Sequence, residues 1–268
     1  MTGATSDAGA DHRLAGEGPP LVLVHGLGST WRAWRPVLPA LEARHRVLAL
    51  DLPGFGTAPP LGAGETPSVP ALADAVERAM DGHGMAEAHV AGNSMGGWIA
   101  LELARRGRAR SAVAISPAGL GTRAENAYAI GVLRATRAFA RAVAPAADRV
   151  LAPALARRLL LWHLYGRPER LAAGDAADAT RALAGAPAFG AAAEWLFAHR
   201  LEAPEAIAAP VLVLWGTRDR LLFPSLAGRL AGRLPRGEVR LLPGLGHVPM
   251  SDDPALVAGA ILGWAAGA

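Results

Sequence analysis

Few local geometries accommodate the stretch Ala88-His89-Val90-Ala91-Gly92-Asn93-Ser94-Met95-Gly96-Gly97-Trp98. A short apolar run closes at Gly92, and a helical pattern carried by Ile99, Leu101 and Leu103 opens after Gly97. A strand therefore turns directly into a helix across Gly92-x-Ser94-x-Gly96. Such a turn strains the backbone at Ser94 and pushes its Oγ out above the sheet. Glycines two residues to either side let strand and helix approach without Cβ clashes. The first turn of the helix presents unpaired N–H groups, so the N–H of Met95 is placed to stabilise an oxyanion. Gly and Ser are common turn residues, so the segment gains meaning only from its context.

That context is an alternation of strand and helix. Pro19-Pro20-Leu21-Val22-Leu23-Val24-His25-Gly26 reads as a buried strand ending in a glycine turn, with both prolines at its start where a missing N–H is tolerated. Trp31 to Leu41 reads as a short helical stretch with Trp34, Leu38 and Leu41 on one face. Arg46 to Leu50 is the next strand, closing on the turn-rich loop Asp51-Leu52-Pro53-Gly54-Phe55-Gly56. After a Gly/Pro loop over 59–67, Ser68 caps a helix running to about Met80, whose Leu72, Val76, Ala79 and Met80 share a face. Ala88 to Ala91 is a third strand. The helix after Ser94 runs to about Arg106, and Ser111 to Ser116 is a fourth strand halted by Pro117. Repeated strand–helix units of this kind build a parallel sheet.

From Ala118 to about Pro204 strands vanish. Ala/Arg-rich helical segments replace them, broken at Pro145, Pro153, Pro168 and Pro187. An insertion of this length is long enough to form a lid. Alternation then resumes with a strand over 210–215, a helix over 224–234, a strand over 239–242 and a last helix over 254–264. The expected division is a core of residues 1–117 and 205–268, with a helical lid over 118–204.

Composition removes several chemistries. The chain has no Cys, which excludes disulfides, thiolate catalysis and Cys-ligated metals. All 27 of its basic Lys/Arg positions are Arg, so Schiff-base and Ser–Lys mechanisms are excluded too. The formal charge of +4 is not gathered on one face with interleaved aromatics, and no nucleic-acid partner is expected. No apolar run reaches the ~18 residues that span a bilayer. The first eleven residues are polar and small, without the apolar core of a signal peptide, so a cytoplasmic location is expected. Nothing in the sequence indicates oligomeric state.

Catalytic groups on open parallel sheets gather at the carboxyl ends of strands. Three of those ends carry Ser94, Asp219 and His247, in the chain order Ser…Asp…His. The chain resembles a lid-bearing α/β-hydrolase over nearly its whole length. The likeness is carried by Val24-His25-Gly26-Leu27-Gly28, Asp51-Leu52-Pro53-Gly54-Phe55-Gly56, Gly92-Asn93-Ser94-Met95-Gly96-Gly97, Trp215-Gly216-Thr217-Arg218-Asp219 and Gly246-His247-Val248-Pro249. It implies the α/β-hydrolase fold, a mostly parallel central sheet flanked by helices with a helical lid inserted after the strand ending near Ser116. It also implies Ser94 as nucleophile, His247 as general base and Asp219 as the acid that orients His247. The backbone N–H groups of Leu27 and Met95 would form the oxyanion hole. Asp252 and Asp253 are rivals to Asp219. His25 resembles the family's loop-fixing histidine, and Asp51 and Phe55 read as loop architecture. The other histidines (His12, His45, His83, His89, His163, His199) are expected on the surface or in the lid. Relatives usually begin with two antiparallel strands, and the short leader here implies a shortened sheet edge.

Such a set of groups suits attack on an acyl carbon, formation of an acyl-enzyme and its hydrolysis. A carboxylic-ester hydrolase acting on a small to medium, largely apolar molecule is the leading expectation, with no metal or organic cofactor. Candidate pocket residues are Trp31, Trp162, Tyr165, Trp195 and Val248, although the core is the commoner place for Trp31, Trp34 and Trp98. Lid arginines offer a second, weaker possibility, a seat for a substrate carboxylate. The alternative enzyme is a carbon–carbon hydrolase of the meta-cleavage-product type, whose elbow the segment 92–97 resembles. Those relatives tend to carry Trp after the catalytic His, where this chain has Val248, and Ser-Gly-Pro-Gly where it has Leu27-Gly28-Ser29-Thr30. Lactonase, thioesterase, amidase and perhydrolase chemistry share the same groups, and some members of the fold are non-catalytic small-molecule binders. Dehalogenases and epoxide hydrolases of the family carry Asp at the elbow, against which Ser94 stands.

Overall fold

Strands whose two faces are both apolar must be covered on both sides, and that requirement shapes the whole molecule. In the computed structural model, which describes residues 11–268, seven strands form one sheet in the order β1-β3-β2-β4-β5-β6-β7. The strands are β1 (His12–Ala15), β2 (Pro20–Val24), β3 (Arg46–Leu50), β4 (Ala88–Asn93), β5 (Ala109–Ile115), β6 (Val211–Gly216) and β7 (Gly237–Leu242). Every neighbouring pair is parallel except β1 with β3. One antiparallel edge strand thus precedes β2 among the described residues.

Alternate residues of the inner strands enter opposite cores. Leu21 and Leu23 of β2 and Leu212 and Leu214 of β6 pack with Trp31, Trp34, α1 (Leu38–Glu42) and the last helix. Val22, Val24, Val211, Val213 and Trp215 face the other way, onto α2 (Val69–Gly82) and α3 (Met95–Arg105). Ser68 caps α2, its hydroxyl accepting from the N–H of Ala71 at 3.2 Å. The register aligns the carboxyl ends, pairing Val24 with Gly92, Asn93 with Ile115 and Gly216 with Leu242.

Residues between β5 and β6 are helical: α4 (Arg123–Val143), α5 (Ala147–Leu151), α6 (Ala154–Leu160), α7 (Ala173–Gly185) and α8 (Phe189–Ala198). Thr122 and Glu125 form a capping box at the start of α4, and Glu125 also pairs with Arg229 of the core at 2.7 Å. Arg229 is the main cause of a Glu125 carboxyl held down to about 2. Leu133, Leu183, Phe189 and Leu196 of this insertion join the same hydrophobic cluster as α2 and α3, so insertion and sheet share one core. After β7 follow α9 (Pro249–Asp252) and α10 (Pro254–Ala266). No helix among the described residues is long and apolar enough to cross a membrane.

Three local expectations need correction. Residues 31–41 are not one helical stretch. A 3₁₀ turn over Trp31–Trp34 gives way to α1 across Pro36, which lacks the N–H a continuous helix needs. The expected helix over 224–234 is only a 3₁₀ segment, Pro224–Arg229, because Gly228 and Gly232 dilute helix propensity and Gly232 takes φ +75°. His45 and His89 are buried rather than at the surface, at 7 % exposure each. The His45 ring donates to the Pro19 carbonyl at 3.0 Å, and His89 Nδ1 meets Ser111 Oγ at 2.9 Å.

Two glycine substitutions separate backbone approach from helix propensity. A Cβ at Gly92 would stand 1.9 Å from the Gly96 carbonyl oxygen, whereas one at Gly131, inside α4, meets nothing within 4 Å. Gly131→Ala is expected to raise stability by about 0.5–1 kcal/mol, and Gly92→Ala to lower it by at least ~1–3 kcal/mol. Urea unfolding of the two variants beside the wild type checks both signs.

Candidate active site

Ser94 sits where β4 becomes α3, at φ 59° and ψ −116°, a backbone conformation that L-residues rarely adopt. Three hydrogen bonds hold it there. Its N–H donates to Ile115 O at 2.9 Å, and its carbonyl accepts from Trp98 N and Ala118 N at 3.1 Å each. A Cβ at Gly96 would lie 2.2 Å from Val24 O, so the start of α3 touches the end of β2 backbone to backbone. Only glycine permits that approach.

His247 follows β7 on the loop that begins at Gly244, and Asp219 follows β6. Their side chains meet: His247 Nδ1–H donates to Asp219 Oδ2 at 2.7 Å, with both residues nearly sealed from solvent. The other carboxylate oxygen, Oδ1, accepts from the N–H groups of Leu221 at 3.0 Å and Leu222 at 2.9 Å. With Nδ1 committed to Asp219, Nε2 is the nitrogen left for proton transfer. The residue before the serine, Asn93, ties the two loops together by donating its amide to His247 O at 2.9 Å. Ser94 and His247 line the same cavity of about 120 Å³.

Leu27 lies in the turn closed by Ser29 N–H to Gly26 O at 3.1 Å, with Gly28 at φ +72°. Leu27 lines the cavity and Met95 opens α3. Neither N–H is used in a hydrogen bond among the described residues. His25 braces this loop. It donates from Nδ1 to Gly26 O at 2.7 Å and accepts from Leu52 N at 2.9 Å through Nε2. Burial pulls its pKa down against the opposing charge of Asp51, which keeps the ring neutral and both bonds intact. Asp51 in turn accepts from the N–H groups of Trp31 at 2.8 Å and Thr57 at 3.0 Å.

Of the candidate pocket residues, Tyr165 and Val248 line the cavity. Trp31, Trp162 and Trp195 do not. Trp31 is wholly buried in the core beneath the sheet. Trp162 is 49 % exposed with the Arg220 guanidinium 5.0 Å from its ring. Trp195 lies against Trp98 and stacks on His199 at 4.2 Å. An aromatic side chain on a helix points where the docking of that helix sends it, which residue type alone does not set. The apolar wall comes instead from Leu133, Leu183, Leu196, Leu221 and Leu222, and the polar mouth from Arg32, Arg35, Asp175 and Asp178. The Arg35 guanidinium is 3.1 Å from Asp178, so charge at the mouth is already paired.

Asp252 has a structural use that the sequence did not reveal. Its Oδ2 accepts from Gly166 N at 2.8 Å and Gly246 N at 2.7 Å, and its Oδ1 accepts from Arg167 N at 2.8 Å. Both oxygens are spent on backbone, so Asp252 is unavailable to His247; Asp253 caps α10 through Leu256 N. Leu164 O accepts from His247 N at 2.8 Å and Val248 N at 3.2 Å. Residues 164–167 of the insertion therefore hold the loop that carries His247. No spacing in the sequence signals contacts between segments more than eighty residues apart. No group of three or more metal-ligating side chains occurs among the described residues.

The sequence profile of the alpha/beta hydrolase fold family matches residues 19–254. Epoxide hydrolase EphH of Mycobacterium tuberculosis is 35 % identical over 192 residues, 69 % of this chain and 89 % of that protein. The dihydrolipoyllysine-residue acetyltransferase component of the acetoin cleaving system of Pseudomonas putida is 37 % identical over 240 residues, 88 % of this chain. This chain spans only 60 % of that relative's length. A bacterial membrane phospholipase A superimposes with a TM-score of 0.74 at 28 % identity, covering 96 % of this chain and 82 % of its own.

Asp252→Ala strands three N–H donors, that of Gly246 buried and those of Gly166 and Arg167 part-buried, each costing up to ~1–3 kcal/mol where water cannot replace the partner. Hydrogen exchange is expected to quicken together at 164–167 and 246–248, with a lowered melting temperature. Quickening confined to one segment would show that Asp252 does not couple them.

Proposed function

The chain belongs to the alpha/beta hydrolase fold family, and on that premise we propose that it is a serine hydrolase cleaving carboxylic esters through an acyl-enzyme. The observation that carries this reading is the buried 2.7 Å bond between His247 Nδ1 and Asp219, made by a histidine that shares its cavity with the strained Ser94. Asp219 fixes the tautomer in which Nε2 carries the lone pair. Nε2 takes the Ser94 proton as Oγ attacks the acyl carbon. The oxyanion forms between the N–H groups of Leu27 and Met95, which stand ready without reorganisation. Collapse expels the alcohol, which takes the proton from His247. Water, deprotonated by the same Nε2, then releases the acid and restores Ser94.

The insertion over 118–204 serves as the lid of this site, since Leu133, Leu183 and Leu196 roof the cavity. A cavity of about 120 Å³ is near the ~150 Å³ that accepts benzene, which favours a small apolar acyl group over a long chain. Epoxide opening, named for one relative, fits this chain less well. The family's epoxide hydrolases use a carboxylate at the elbow, and here the position is Ser94. Composition and size fit a cytoplasmic enzyme of small-molecule metabolism acting without a cofactor.

Hydrolysis of p-nitrophenyl esters from acetate to palmitate tests the reading. Turnover is expected to peak at short acyl chains and to vanish in Ser94→Ala. Asp219→Asn is expected to lose up to ~10⁴ in kcat. Full turnover by a folded Ser94→Ala protein would overturn the nucleophile assignment.

A further inference from the structure

Tyr165 is a polar group without a described partner inside an apolar wall. It lies between α6 and α7, 8 % exposed, packed with Leu151, Leu161, Leu171 and Ala176. It lines both the cavity at Ser94 and a smaller one of about 40 Å³ that Phe139 and Thr180 also line. Its hydroxyl makes no hydrogen bond with any described residue, yet it is not among the fully enclosed polar atoms, so the oxygen keeps open surface. A tyrosine hydroxyl buried against apolar side chains normally finds a partner, and phenylalanine would fill the same space without a polar atom to satisfy.

The residue is also held in place. Its own N–H donates to Leu161 O at 3.1 Å. Leu164 O accepts from His247 N and Val248 N, while Gly166 and Arg167 donate to Asp252. Tyr165 is thereby fixed, through both chain neighbours, to the loop that carries His247. Burial first, then the carboxylates of Asp252 and Asp175, push its phenol well above the ordinary range. The group keeps its proton and acts as a donor.

We propose that the Tyr165 hydroxyl is a substrate-recognition group, donating a hydrogen bond to an oxygen the substrate carries away from its scissile carbonyl. This rests on the ester-hydrolase reading and narrows it. The preferred substrates are small esters bearing a ketone, ether or hydroxyl oxygen in the part beneath the insertion, rather than plain alkyl esters. A site that pairs such an oxygen discriminates against the methylene analogue because the analogue leaves the donor unpaired.

Two measurements on Tyr165→Phe test this. In the first, p-nitrophenyl pentanoate is compared with its counterparts carrying a ketone at carbon 3 or 4, and p-nitrophenyl hexanoate with those carrying a ketone at carbon 3, 4 or 5. The wild type is expected to prefer at least one keto ester over its alkyl counterpart by about tenfold or more in kcat/KM, and Tyr165→Phe to erase the preference. In the second, ligand-detected NMR compares cyclohexanone with its isostere methylenecyclohexane on the Ser94→Ala protein, with and without Tyr165→Phe. Cyclohexanone is expected to bind about tenfold tighter only where the hydroxyl is present. The melting temperature of Tyr165→Phe should match or exceed that of the wild type, since no protein partner is lost. Equal discrimination by both proteins, or none in the wild type, overturns the proposal. If no variant hydrolyses any ester, the ester reading fails and the cyclohexanone comparison alone decides the role of Tyr165.

Discussion

Backbone crowding around Ser94 is the constraint from which the other placements follow. An L-residue at φ 59° costs about 1–3 kcal/mol and persists only where its surroundings over-determine it. Here they do. The N–H and carbonyl of Ser94 are both bonded, to Ile115 on one side and to Trp98 and Ala118 on the other. Missing Cβ atoms at Gly92 and Gly96 bring β4, α3 and β2 into backbone contact. Because β2 and β5 flank β4 directly, the loops after these strands converge on one point. The Leu27 and Met95 N–H groups, and Asn93 reaching to His247 O, take their positions from that convergence.

The insertion and the sheet are joined by ties of unequal strength. At 164–167 the tie is backbone to backbone and backbone to the buried carboxylate of Asp252, reinforced by close approach of Gly166 to Gly246. Charge-assisted bonds to a buried carboxylate are among the stronger kind. At the cavity mouth the tie is the exposed pair Arg35–Asp178, of a class that contributes about 0–1 kcal/mol. Beside His247 the insertion is thus held through a buried carboxylate, and beside Arg35 through a solvent-exposed pair.

Most polar groups inside the molecule are paired, while Trp34 Nε1, Arg108 Nε, Ser116 Oγ and Arg157 Nε have no hydrogen-bond partner among the described residues. His25, Asp51, Asp219 and Asp252 are each buried, and each meets hydrogen-bonding partners on more than one side. Buried polar atoms without partners are costly, so such completeness is the norm. The Tyr165 hydroxyl, on a residue of the cavity wall, also makes no hydrogen bond with a described residue.

The sequence by itself determined the six strands β2 to β7, the Ser94 turn and the positions of Ser94, Asp219 and His247 at strand ends, but not the edge strand β1. These are local matters: runs such as Leu21–Val24 and Val211–Trp215 must be buried on both faces, and glycine spacing dictates a strand turning into a helix. Tertiary structure alone decided the rest. Asp219 and Asp252 are both acids near the same loop, and only the meeting of chain segments sends one to the His247 ring and the other to three backbone N–H groups. Trp31, Trp162 and Trp195 look like pocket residues by type, but core packing, an arginine and a neighbouring helix claim them. Cavity walls are built from residues far apart in the chain, and their directions depend on how the insertion docks, which no periodicity encodes.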